Sequence, residues 1–160
     1  MRNAKKILAG GLSAGYAGGS RIEDVARGGF HLKSSHIKTS DGIYHDEWAA
    51  HRAGGGQEIV SVEDKIYTRV YAGGTISLEK LKQLGVEESE VGDYLKRKLT
   101  ELGDKTRFDE DCSPEPDGEW QYTYKVMNRE DDIPLIVGYE HLLFQDKKVF
   151  THIFIICPVD

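Results

Sequence analysis

Gly54-Gly55-Gly56-Gln57-Glu58-Ile59-Val60-Ser61-Val62-Glu63-Asp64-Lys65-Ile66-Tyr67-Thr68-Arg69-Val70-Tyr71-Ala72-Gly73-Gly74 is the stretch whose reading decides the fold. Two runs rich in β-branched and aromatic residues flank an acidic-basic turn, and glycines bracket both. That is the pattern of a β-hairpin. A two-residue turn at Glu63-Asp64 sets Glu58 opposite Arg69. A weaker copy runs from Gly138-Tyr139-Glu140 through Asp146-Lys147-Lys148 to Phe150-Thr151-His152-Ile153-Phe154. A three-residue turn at Gln145-Asp146-Lys147 would set Glu140 opposite His152.

Laying Gly56 on Gly138 brings Tyr67-Thr68-Arg69-Val70-Tyr71 over Phe150-Thr151-His152-Ile153-Phe154. Upstream, Asp41-Gly42-Ile43-Tyr44 falls on Asp117-Gly118-Glu119-Trp120. The chain 1–160 therefore reads as one domain with an internal pseudo-repeat, about 41–74 and 117–156, joined by a helical segment at 77–102. Further strands are expected at Phe30 to Lys38, Ile43 to Ala50 and Trp120 to Asn128, all with alternating faces. Turns are expected at Thr39-Ser40-Asp41-Gly42 and at Asn128 to Asp132. Ile153-Phe154-Ile155-Ile156 is apolar on both faces, which predicts burial on both sides of the sheet.

The period changes at Ser77, which can cap a short helix through Leu84 that Gly85 ends. From Glu88 to Leu102, Val91, Leu95, Leu99 and Leu102 recur at helical spacing, with acids early and Lys96, Arg97 and Lys98 later. Gly103 stops it. Asn3 to Ala9 predicts a short N-terminal helix, and Asp104 to Gly118 a polar loop. The fold class is α+β: a twisted, mainly antiparallel sheet from two duplicated hairpin units, with the main helix, about 88–102, packed on it.

Composition narrows the function classes. Hydrophobic residues make up 39% and charged residues 30%, the balance of a folded globular chain. Net charge is −6, from 21 basic and 27 acidic residues, the wrong sign for direct nucleic-acid binding. No apolar run is long enough to span a membrane, and Ile7-Leu8-Ala9 is too short for a signal-peptide core, so a cytoplasmic location is expected. Gly10-Gly11 through Gly18-Gly19 lacks P-loop and dinucleotide spacing. Cys112 and Cys157 read as reduced thiols.

Six histidines (His31, His36, His45, His51, His141, His152) show no metal-ligand spacing, although His45-Asp46-Glu47 and His51 lie near one another in sequence. No metal and no cofactor is therefore expected. Aromatic residues concentrate in the expected strands, where packing is their ordinary role. A concave sheet face carrying Tyr44, Asp46, Trp48, Glu58, Tyr67, Arg69, Tyr71, Trp120, Tyr122 and Glu140 is the expected site for a small-molecule ligand. Glu58 or Glu140 with a histidine would serve general acid-base catalysis instead, and the aromatic face would serve a homodimer.

The order Ser35-His36, Tyr44-x-Asp46-x-Trp48, Gly56-x-Glu58, Tyr67 to Tyr71, a helical middle, then Gly138-Tyr139-Glu140 with Lys148-Val149-Phe150 resembles the DUF5680 family. That family is of unknown function, found alone or attached to helix-turn-helix domains of bacterial regulators. The likeness spans about Ala4 to Phe154 and departs at Ile155-Ile156-Cys157-Pro158 and at Ile66-Tyr67-Thr68-Arg69. It implies a regulatory partnership and assigns no catalytic residue.

Overall fold

A computed structural model describes residues 2–19, 21–49 and 52–159. Helix α1 (Arg2–Ala14) leads into strands β1 (Glu23–Arg27), β2 (Phe30–Lys38), β3 (Ile43–Trp48), β4 (Ala53–Val62) and β5 (Lys65–Thr75). Helices α2 (Leu78–Leu84) and α3 (Glu88–Leu102) follow, with a 3-10 turn at Gly103–Lys105. Strands β6 (Trp120–Glu130), β7 (Leu135–Phe144) and β8 (Lys147–Val159) complete one antiparallel sheet. Its order is β1-β2-β3-β4-β5-β8-β7-β6. The α+β class and the main helix are as the sequence predicts. The described helices are all too short or too polar to cross a membrane.

Outward from its centre the sheet reads β5-β4-β3 on one side and β8-β7-β6 on the other. Tyr71 pairs with Phe154 at the middle, the two residues that the repeat alignment superimposes. Glu58 pairs with Arg69, and Glu140 with His152. The second pairing is reached by another route than the expected one. Phe144 pairs with Lys147, so the turn is the two-residue Gln145-Asp146, and the register shift lies after Leu142, where Val149 is the extra residue. Upstream, strand pairing puts Tyr44 opposite Val60 and Tyr122 opposite Leu142, so Tyr44 corresponds to Tyr122 rather than to Trp120.

One face of the sheet carries the core. Val91, Tyr94, Leu95 and Leu99 of α3 pack on Tyr122, Tyr124, Leu142, Phe150 and Phe154. Ala4 and Leu8 of α1 pack with Tyr44, Val60, Val62, Phe108, Ile136 and Ile156. The aromatic face is thus covered within the chain, and Tyr44, Tyr122 and Tyr124 are wholly buried. The opposite face is open. Ile153 is 51% exposed and Ile155 42%, so the expected burial on both sides fails because none of the described elements covers the outer side of β8.

Three further departures have local causes. Helix α1 runs past the expected end at Ala9, through Gly10-Gly11 to Ala14, and the absent side chain of Gly11 leaves room for the Tyr44 ring, which lies in the space a Cβ would fill. Gly11→Ala should therefore cost about 1–3 kcal/mol by overpacking, read as a drop in urea midpoint. Strand β1 has no counterpart in the sequence pattern, since Glu-Asp-Val-Ala-Arg shows no clear alternation and is largely exposed on both faces. The segment expected as a turn at Asn128 begins inside β6, which runs on to Glu130. His51 and Ala50 lie outside the described residues.

Candidate functional site

Three side chains stand in a row across the core face, because Asp46 of β3 pairs with Glu58 of β4 and Glu58 pairs with Arg69 of β5. All three are 2% exposed. Arg69 holds Glu58 in a two-pronged ion pair, with Nε on Oε2 and Nη2 on Oε1 at 2.7 Å. Its remaining nitrogen, Nη1, donates to the backbone carbonyl of Arg107 at 2.6 Å. The Tyr44 hydroxyl donates to Glu58 Oε1 at 3.0 Å.

A second pair lies alongside. Arg107 donates through Nε to Glu140 Oε1 at 2.7 Å and through Nη2 to Oε2 at 2.6 Å. Tyr122 donates to Glu140 Oε1 at 2.7 Å, as Tyr44 does to Glu58. His152, the strand partner of Glu140, keeps its Nδ1 at 3.7 Å from the carboxylate, beyond hydrogen-bond reach. The two guanidinium carbons sit 5.3 Å and 5.1 Å from the centre of the Phe154 ring. Burial would raise the Glu140 carboxyl, and the Arg107 charge overcomes it, holding the group down at about 2. Burial likewise disfavours the Arg107 charge, and Glu140 more than offsets it.

Asp46 has no such cation. Among the described residues it makes no ion pair: the Tyr71 hydroxyl donates to Oδ1 at 3.2 Å, and the Tyr44 hydroxyl, whose hydrogen is on Glu58, stands 3.4 Å from Oδ2. Burial first, and the neighbouring Glu58 charge second, push its carboxyl up to about 8, against the opposing pull of the tyrosine donors and Arg69. Asp46 is therefore largely neutral at pH 7. Burial and the Asp46 and Glu58 carboxyls also drive the Tyr71 hydroxyl upward, keeping it a donor.

This carboxyl faces a cavity of about 460 Å³ between the sheet and helices α1 and α3. Asp46, Glu58, Tyr71, Arg107 and His152 form its polar floor. Leu12, Tyr16, Trp48, Val91, Leu95 and Phe150 form the apolar walls, and Arg52, Glu88, Asp93 and Lys96 stand at the rim. Gly92 of α3 also lines it, and a Cβ there would meet nothing within 4 Å.

Of the ten residues expected from sequence, Asp46, Trp48, Glu58 and Tyr71 line this cavity. Tyr44, Arg69, Tyr122 and Glu140 form the hydrogen-bonded layer beneath it. Tyr67 lies elsewhere, beside Phe108 in a separate cavity of about 560 Å³. Trp120 stacks on Tyr94 at 4.8 Å within the α3 core and takes no part. Sequence reasoning missed Arg107, Tyr16 and the α3 wall. The visible signal for Arg107 was Phe108, an aromatic residue inside an otherwise polar segment. Among the described residues no three His, Cys, Asp or Glu side chains gather as a metal site. Comparison with known proteins adds nothing to this geometry: no protein-family profile, curated protein or solved structure matches the chain.

Proposed function

We propose that the chain is a small-molecule-binding domain and that its ligand enters the cavity floored by Asp46 and Tyr71. The observation carrying this is the carboxyl itself. A buried acid without a cation is costly, and such residues concentrate where a ligand or a reaction needs them. Its setting, an apolar-walled cavity with a few convergent polar groups, is of the size and kind that takes small molecules. Under the DUF5680 resemblance, the cavity would be the sensing element of a regulator working with a separate DNA-binding protein.

Glu58 and Glu140, the acids that the sequence nominates for catalysis, are each locked in a two-pronged arginine pair. Glu140, held near 2, is a poor proton carrier at neutral pH. A catalytic reading would run through Asp46 instead, the acid at this site that titrates near pH 8 beside a tyrosine hydroxyl. Binding alone leaves the ligand unchanged, whereas turnover that Asp46→Asn abolishes would favour catalysis.

Gly92 supplies the test. Glycine inside a helix costs about 0.5–1 kcal/mol relative to alanine, and nothing near Gly92 requires its absent side chain. Gly92→Ala should therefore raise stability by that amount. Gly92→Trp should project an indole into the cavity and abolish the rise in melting temperature that any bound metabolite causes in the unaltered protein. A library compound that stabilises both proteins equally binds elsewhere. A library with no stabilising compound argues against the reading.

A further inference from the structure

We propose that the cavity is selective for a small organic cation, an amine whose protonated nitrogen sits on Asp46 and whose carbon skeleton lies against Trp48 and Tyr16. This rests on the small-molecule-binding reading and goes further by naming the ligand's charge. Both guanidiniums at the floor are already consumed, Arg69 by Glu58 and Arg107 by Glu140. With those charges paired, Asp46 is the floor acid that has no cationic partner among the described residues, and Glu58 flanks it on the next strand.

An ammonium carries donors and no acceptor, which complements a carboxylate. An anion of the same size would find both guanidiniums at the floor already paired. The walls agree with a cation. Tyr16 and Trp48 stand edge to face with ring centres 6.3 Å apart and offer aromatic surface in the same cavity as the acid. At the rim, Arg52 donates to the Thr75 carbonyl at 2.5 Å and Lys96 lies over the Tyr16 ring at 5.7 Å, and with Glu88 and Asp93 beside them the rim carries no net charge, so the choice of ligand charge falls to the floor.

Proton linkage follows from the same geometry. The groups facing Asp46 are Tyr44 on its own strand, Glu58 on β4, and Arg69 and Tyr71 on β5. Arg107 and His152 share the floor, and Glu88, Asp93 and Lys96 of α3 share the cavity. An arriving ammonium favours the ionised carboxyl, so binding at pH 7 should release close to one proton from Asp46. Affinity should climb with pH toward 8 and then level off.

The probes are 2-phenylethylamine, its neutral counterpart 2-phenylethanol, and anionic 3-phenylpropanoate, titrated calorimetrically into the full chain in two buffers of different ionisation enthalpy. The amine should bind at least tenfold more tightly than either counterpart, with proton release. Asp46→Asn, a stabilising change in its own right, should lower amine affinity about tenfold or more. Tyr67→Phe, in the other cavity, should not. Tighter binding of the neutral or anionic probe, or an amine affinity that Asp46→Asn leaves intact, overturns the charge assignment. If Gly92→Trp still blocks a library compound, the cavity survives as a binding site. If no probe and no library compound binds, both readings fall.

Discussion

Asp46→Asn should stabilise the protein at pH 8 by about 3–6 kcal/mol and change little at pH 4. In the folded chain the carboxyl titrates near 8 instead of at its ordinary 3.8. The stability that a neutral Asp46 permits is complete below about pH 4. It is then lost as pH rises, because the unfolded chain ionises freely while the folded one resists, and the loss levels off above about 8. Every tenfold weakening of an acid by folding corresponds to about 1.4 kcal/mol, which sets the upper figure, and relaxation of the site sets the lower. Asparagine keeps an acceptor for the Tyr71 hydroxyl and cannot ionise. Urea unfolding of both proteins at pH 4 and pH 8 checks the result. Coincident midpoints at pH 8 would mean that Asp46 is already ionised and well solvated, and the candidate site would lose its basis.

The second large effect belongs to Arg107. Arg107→Met removes the cation from a wholly buried Glu140, and breaking such a pair from one side costs about 3–5 kcal/mol. Arg107→Met combined with Glu140→Leu should recover most of that loss, since neither charge then has to be desolvated. A double-mutant cycle in urea at pH 7 separates these contributions, and a cost below about 1 kcal/mol for Arg107→Met alone would show the pair to be solvated. The pH dependence has the opposite sign from that of Asp46. Glu140, held down at about 2, contributes stability that is present above about 4.5 and lost as pH falls toward 2, worth about 3 kcal/mol. Together the two acids place maximal stability near pH 4 to 5.

How much of this was legible depends on how local each determinant is. The Glu58–Arg69 pair could be read because a two-residue turn fixes hairpin register residue by residue. Glu140 and His152 are paired as expected, but through a two-residue turn and a bulge at Val149 that together take the place of the expected three-residue turn. Asp46 could be named as a site residue from its alternation with Tyr44 and Trp48. Its lack of a cation could not, because that depends on where Arg69 and Arg107 spend their charges. Arg107 itself was hidden in a segment that composition marks as loop. Thr106, Arg107 and Phe108 are all buried there, with Arg107 at φ 60°, so the chain turns inward where its polarity suggests a surface path. The open outer side of β8 was equally unreadable, since Ile153 and Ile155 look the same in sequence whether or not a layer covers them.

The junction of β5 with β8 has a consequence for how the chain is made. It pairs residues 66–75 with residues 150–159, so the two halves of the sheet are sewn together by a strand that is translated only after α2, α3, β6 and β7. Until then β5 presents a bare row of amide and carbonyl groups to whatever strand passes, and Arg69 and Glu58 wait without the ring of Phe154 against the guanidinium. Contacts so distant in sequence form slowly, and the nascent protein is most vulnerable to mispairing in that interval.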